Sequence, residues 1–313
     1  MRIVFITSLL LMGLLACDHH HHRSPRQYTV PGEQTFPEGL VYQRPARAFF
    51  VSSSHTGAIY RAHLLDSVAR PFLPAGSDGR TEAAGMKIAG DTLYIAGGSI
   101  QTVYAYQIAD GTLLHSAKAP AVPAGDSSFL NDVAVLPSGR FFVTDSYSPA
   151  IYEGKIGQDS LRVWKSLRNS PITYQAGFNL NGLVATPDNL YLLAVQTNTG
   201  QLFRFSLADG SVQEVALGGK TLLHGDGMFL EGHHLYVAQN KSKQVTEVVL
   251  GPNYAEGKVG SHIYSKDLAF PTAVASTGAT LLVVNAQLDK AAPGAVPQLP
   301  FTVSGLPIGD HHH

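Results

Sequence analysis

The chain has 313 residues, 44% of them hydrophobic, and a formal net charge of −1. That balance excludes a disordered chain, which combines low hydrophobicity with high net charge. With 22 basic against 23 acidic residues it lacks the basic excess of a nucleic-acid binder. The single cysteine rules out an internal disulfide framework and a cysteine-rich zinc site.

Residues 1–17 read as an export signal. Arg2 gives a positive start, and an apolar run of 13 residues follows, from Ile3 to Leu15. This is too short to span a bilayer as a helix but suits the core of a signal peptide. The run ends in Leu14-Leu15-Ala16-Cys17, which resembles the bacterial lipoprotein box. Signals of that kind are cut before the cysteine. Residues 1–16 would then be removed, Cys17 would carry lipid, and residues 17–26 would form a His-rich tether. The plainer alternative is an ordinary signal peptide with an incidental cysteine. The lipoprotein reading implies an exported protein of the bacterial cell envelope, held to the membrane by buried acyl chains alone. The histidines at 19–22 and 311–313 read as a solvated tether or tag, although such tracts can bind transition metals.

From residue 27 to 308 a repeat sets the architecture. Six segments share one pattern: Glu38-Gly39-Leu40, Ala84-Gly85-Met86, Asn131-Asp132-Val133, Asn181-Gly182-Leu183, Asp226-Gly227-Met228 and Thr272-Ala273-Val274. Their first residues lie 46, 47, 50, 45 and 46 positions apart. After a turn, each unit continues into a second apolar run, such as Phe141-Phe142-Val143-Thr144 or Leu235-Tyr236-Val237-Ala238. Most units add a third, such as Ala150-Ile151-Tyr152-Glu153. A period of this length, filled with short Val, Ile, Tyr and Phe strands between turn residues, predicts an all-β, six-bladed propeller with four-stranded blades. Apolar spacing of three and four, as in a helical solenoid, is missing. The last unit lacks a fourth strand at the C-terminus, and Gln27-Tyr28-Thr29-Val30 is spare at the other end. The prediction is that this N-terminal strand closes the ring and covers an otherwise exposed edge.

The first residue of each unit should stand at one end of the central channel. The ring so formed is Glu38, Ala84, Asn131, Asn181, Asp226 and Thr272. Its carboxylate and amide oxygens suit Ca2+ better than Zn2+. Two adjacent carboxylates are also costly without a cation. Taken singly, Asn-Gly and Asp-Gly are ordinary turn dipeptides; their common phase in the repeat is what points to a metal site. Loops at the same end should bring His224, His55, Asp145 and Asn240 to a substrate mouth, with Asp145 more suited to hydrogen bonding than to ligation.

These motifs resemble the senescence marker protein / gluconolactonase family, a superfamily neighbour of the paraoxonases and diisopropyl fluorophosphatase. The resemblance rests on Pro37-Glu38-Gly39, on Asn131-Asp132-Val133-Ala134-Val135 with Pro137-Ser138-Gly139-Arg140, on Asn181-Gly182-Leu183 with Pro187-Asp188, and on Asp226-Gly227-Met228. It implies a six-bladed propeller with one catalytic Ca2+ in the channel and activity on lactones, aryl esters or phosphotriesters. It also implies Glu38, Asn181 and Asp226 as metal ligands, with Asn131 binding either metal or substrate. Ala84 and the absence of an aromatic directly after Glu38-Gly39 depart from the family pattern.

On this reading the metal polarises a carbonyl or phosphoryl oxygen. Asp226 is ligand, base or nucleophile, and His224, two residues earlier, is a candidate base with a pKa suited to neutral pH. No Gly-x-Ser-x-Gly elbow, P-loop or dinucleotide fingerprint is present. The alternative of another class is a non-catalytic propeller that binds a ligand and uses Ca2+ as a structural pin.

Overall fold

The computed structural model describes residues 27–308. The signal segment, Cys17 and both His tracts lie outside the described residues. Within them, all strands fall into six four-stranded antiparallel sheets arranged as a propeller. Helix is confined, among the described residues, to two short 3-10 turns, Ser77–Gly79 and Leu288–Lys290. No helix among these residues is long and apolar enough to cross a membrane.

Blade 1 begins with the strand Pro37–Gln43, blade 2 with Met86–Ala89 and blade 3 with Leu130–Val135. Blades 4, 5 and 6 begin with Leu180–Ala185, Gly225–Glu231 and Pro271–Ser276. These are the inner strands. The ring closes as the repeat predicts: Gln27–Val30 pairs antiparallel with Phe301–Pro307 as the outermost strand of blade 6.

The core explains why the second strand of each unit is apolar at consecutive positions. Among the described residues, the buried apolar side chains form six clusters, one at each seam between blades. Phe49 packs into the seam between blades 6 and 1, and its neighbour Phe50 into the seam between 1 and 2. Phe141 and Phe142 divide in the same way between the two sides of blade 3. Successive side chains of a strand point to opposite faces, and here both faces are buried. Alternation is therefore lost.

The ring residues owe their position to a break in strand pairing. In blades 1, 3, 4, 5 and 6 the register between first and second strands shifts across two residues, and one of the two is the ring residue. Such bulges bend a strand and re-aim a side chain. The second residue of each pair packs against the next blade. A Cβ on Gly39 would lie 2.3 Å from the Ala84 carbonyl oxygen, and one on Gly182 would lie 2.3 Å from that of Asp226. Gly after the ring residue is thus a packing requirement of the axis, where neighbouring backbones touch.

Candidate metal centre in the channel

Glu38, Asn131, Asn181, Asp226 and Thr272 are all buried where the inner strands begin. The two asparagines are held alike. Asn131 Nδ2 donates to Ser146 Oγ at 3.0 Å, and that hydroxyl donates to the Leu180 carbonyl at 2.7 Å. Asn181 Nδ2 donates to Thr197 Oγ1 at 3.1 Å, and Thr197 donates to the Gly225 carbonyl at 2.7 Å. Each relay runs from a ring amide through a hydroxyl to the backbone of the next blade. With its nitrogen engaged in this way, each amide has its oxygen left over as an acceptor. Asn181 Oδ1 is buried without a hydrogen-bond partner, and so is Glu38 Oε2. Thr272 is used differently, its hydroxyl donating to the Glu38 carbonyl at 2.7 Å. Blade 2 supplies only Ala84, which is buried in the seam with blade 3.

The electrostatics follow from burial. Glu38 is held well above the usual carboxylate range by burial first, then by repulsion from Asp226 and Asp132. Asp226 is pushed up to about 7, again by burial, against the opposing pull of the Asn240 and Asn181 side chains. Asn240 Nδ2 donates to Asp226 Oδ2 at 2.9 Å. Buried oxygens without donors and carboxylates that resist ionisation are what a hard cation relieves. Among the described residues, no three His, Cys, Asp or Glu side chains gather into a metal-holding group. The donor set that fits a cation is therefore two carboxylates with amide oxygens, an all-oxygen set.

A cavity of about 330 Å³ adjoins the ring. Glu38, Asn131 and Asn181 line it, and blade 5 contributes Gly227, the residue after Asp226. It continues along the inner strands past Asp132 and Lys87 to Arg44, Pro45, Gly90 and Asp91 in the exposed hairpin turns. His55, Asp145, Asn240 and His224, the residues of the expected mouth, do not line this cavity; they sit in loops at the other end of the channel, where the inner strands begin. Three of the four are engaged in those loops. Asp145 is fully buried and accepts from Ser128 Oγ and from the N–H groups of Phe129, Tyr147 and Ser148. Asn240 is buried between Asp226 and the Lys241 N–H, which its Oδ1 accepts at 2.6 Å. His55 is exposed and packs on Phe36, with ring centroids 4.4 Å apart. His224 is half-buried in a left-handed conformation (φ 62°), with Nδ1 buried and unpartnered. Burial, then Lys241, lowers its pKa.

Two channel residues escaped the sequence reading. Asp132 occupies the place where other units carry Gly or Ala. Its carboxylate accepts the N–H groups of Val133 and Leu183, both at 2.8 Å, and so ties blade 3 to blade 4. Burial pushes its pKa up to about 6, with both N–H groups and Lys87 pulling it back. Lys87 is the other. Both departures are visible once the six units are aligned, since each puts a charge where its counterparts are small or apolar.

No protein-family model matches the sequence, and no curated protein matches it. Solved structures do. Mala s 1, the major allergen of Malassezia sympodialis, is 16% identical with a TM-score of 0.69, over 92% of this chain and 99% of the allergen. Regucalcin from Agrobacterium tumefaciens, a calcium-binding protein, is 18% identical with a TM-score of 0.61, over 88% and 90%. Virginiamycin B lyase from Staphylococcus aureus is 12% identical with a TM-score of 0.59, over 90% and 98%. At these identities the likeness establishes the propeller fold.

Proposed function

We propose that the channel ring binds one Ca2+ ion and that the protein is a metal-dependent hydrolase of a small lactone or ester. The observation that carries this is the pair of buried, donor-less oxygens, Glu38 Oε2 and Asn181 Oδ1, in a ring that also holds Asp226. Calcium binding by the regucalcin neighbour supports the choice of ion. Glu38, Asn181 and Asp226 would hold it, with Asn131 completing the set or facing the substrate. Bound there, the ion supplies Lewis-acid polarisation of a carbonyl or phosphoryl oxygen.

The chain's own residues do the rest. Asn240 fixes the orientation of Asp226. Asp226 is the proposed acceptor of the proton from the attacking water, with His224 as the proposed helper base. The cavity volume suits a small molecule and not a polymer. The test is calorimetric titration with Ca2+, followed by assays on a lactone, phenyl acetate and a phosphotriester, each with Ca2+ and with chelator. Chelator-sensitive turnover of one class is expected. Calcium binding with no turnover of any class would leave the structural-pin reading.

Thr197→Val tests the amide relay. It keeps the shape but removes the hydroxyl between Asn181 and the Gly225 carbonyl. Loss of about 1–3 kcal/mol of stability is expected from the unpaired groups, together with weaker Ca2+ binding. Unchanged calcium affinity would remove the relay from the metal site.

The cell-envelope location and the Cys17 lipid anchor are proposed on sequence grounds alone. Mass spectrometry of the mature N-terminus checks them; an intact Ala16–Cys17 bond is the result against.

A further inference from the structure

The channel holds a charged group that the hydrolase reading leaves unused. Lys87 lies on the inner strand of blade 2 and lines the same cavity as Glu38, Asn131 and Asn181. Its counterparts in the other five units are Val41, Ala134, Val184, Phe229 and Ala275. An ammonium in such a place is costly to desolvate. Burial lowers its pKa, and the one opposing influence is the charge of Asp132, with no hydrogen bond contributing.

The neighbouring groups leave Lys87 available. Asp132 spends both carboxylate oxygens on backbone N–H groups at 2.8 Å. Arg44, the other cation on the cavity wall, is drawn to the surface by Glu231 at 3.2 Å. Among the described residues, Lys87 is therefore the cation of this cavity without an ion pair, in a space of about 330 Å³ that reaches solvent at the hairpin turns.

We propose that Lys87 makes the turn-side part of the channel a binding site for a small monocarboxylate. The ligand comes in between the hairpin turns, and its carboxylate accepts a hydrogen bond from Nζ. Charge selects the class. Asp132 lies near Lys87 and Asp91 lines the turn-side wall, so a second negative charge on the ligand finds no further unpaired cation and meets their repulsion. A neutral ligand can accept a hydrogen bond from the half-buried ammonium but brings it no countercharge, and the neutral bond is the weaker one. If the hydrolase reading holds, the ring-opened acid of a lactone is such a ligand, so the site would take the product's carboxylate. That link rests on the proposed activity; binding itself does not.

The probe is 4-hydroxybutyrate, compared with its neutral amide. Both are titrated calorimetrically into the full chain, once with Ca2+ and once with chelator, because a carboxylate can also bind a metal. The same titrations are run on Lys87→Met. Expected is saturable binding of the acid in preference to the amide, weakened about tenfold or more in Lys87→Met under both conditions, the size of losing one charge-assisted hydrogen bond. The melting curve and Ca2+ affinity of Lys87→Met show that the fold and ring are intact; a variant that fails this check is replaced by Lys87→Gln. Equal affinity of variant and wild type for the acid overturns the proposal, as does equal affinity of wild type for acid and amide, or no binding of the acid. Lys87-dependent binding without turnover of any ester or lactone would keep this site and remove the hydrolase. Turnover with Lys87-independent binding would do the reverse.

Discussion

Asp226→Asn is expected to lower kcat by about 10² or more on whichever substrate of the panel is turned over, and saturating Ca2+ is not expected to restore it. The substitution keeps the size and one oxygen, so a ligand can remain. What it removes is a carboxylate that can take a proton. If Asp226 only held the ion, the defect would be one of occupancy, and excess Ca2+ would bring the rate back. A missing positioned acid–base group gives a loss on the stated scale at any ion concentration. The geometry favours the second outcome: Asp226 is buried and held in one orientation by Asn240 at 2.9 Å, as a positioned proton acceptor requires. His224→Gln is the companion variant, since Gln stays polar but cannot accept the proton. A fully active His224→Gln protein removes the histidine from the mechanism. Full rescue of Asp226→Asn by Ca2+ reduces Asp226 to a ligand.

The repeat made the blades legible because one physical constraint acts six times. Every second strand buries both faces in adjoining seams, so consecutive apolar pairs such as Phe49-Phe50 and Phe141-Phe142 stand out. The ring was legible for a related reason. The residue after five of the six ring positions is Gly or Ala, and at Gly39 and Gly182 the touching backbones leave no room for a side chain. The turn-side cavity was not legible. A strand pattern places the ring at one end of the channel but does not say which way the free space runs. That depends on how loop side chains are spent, and Asp145 and Asn240 are spent on N–H groups and on Asp226. Lys87 is not an oxygen ligand, so the ring of oxygens does not point to it. Its signal was the break in an apolar column, which the ring alignment already contained.

The ion-free protein is expected to lose stability as the pH rises from about 4 to about 7, and Ca2+ is expected to return it. The sign follows from the direction of the shifts. Glu38 and Asp226 both have folded-state pKa values above those of an unfolded chain, Asp226 at about 7. Between the ordinary carboxylate value and that raised value, the fold holds protons that the unfolded chain has released. The contribution is therefore complete at low pH and disappears as the pH approaches about 7. This runs against the usual trend for acidic groups, so it separates the ring from the surface carboxylates. Ca2+ requires the ionised forms, so its stabilisation grows over the same window. With free ion at 100 times its Kd the gain is about 2.7 kcal/mol, enough to raise the Tm by several degrees. Asp226→Asn adds a decisive arm. Removing the charge should flatten the pH dependence of the ion-free protein and raise its Tm above that of ion-free wild type at about pH 8, while shrinking the Ca2+ shift. Melting curves at about pH 5 and pH 8, with chelator and with Ca2+, read all of this at once. Curves that respond to neither pH nor Ca2+ would mean that the buried carboxylates of the ring are satisfied within the fold and wait for no ion.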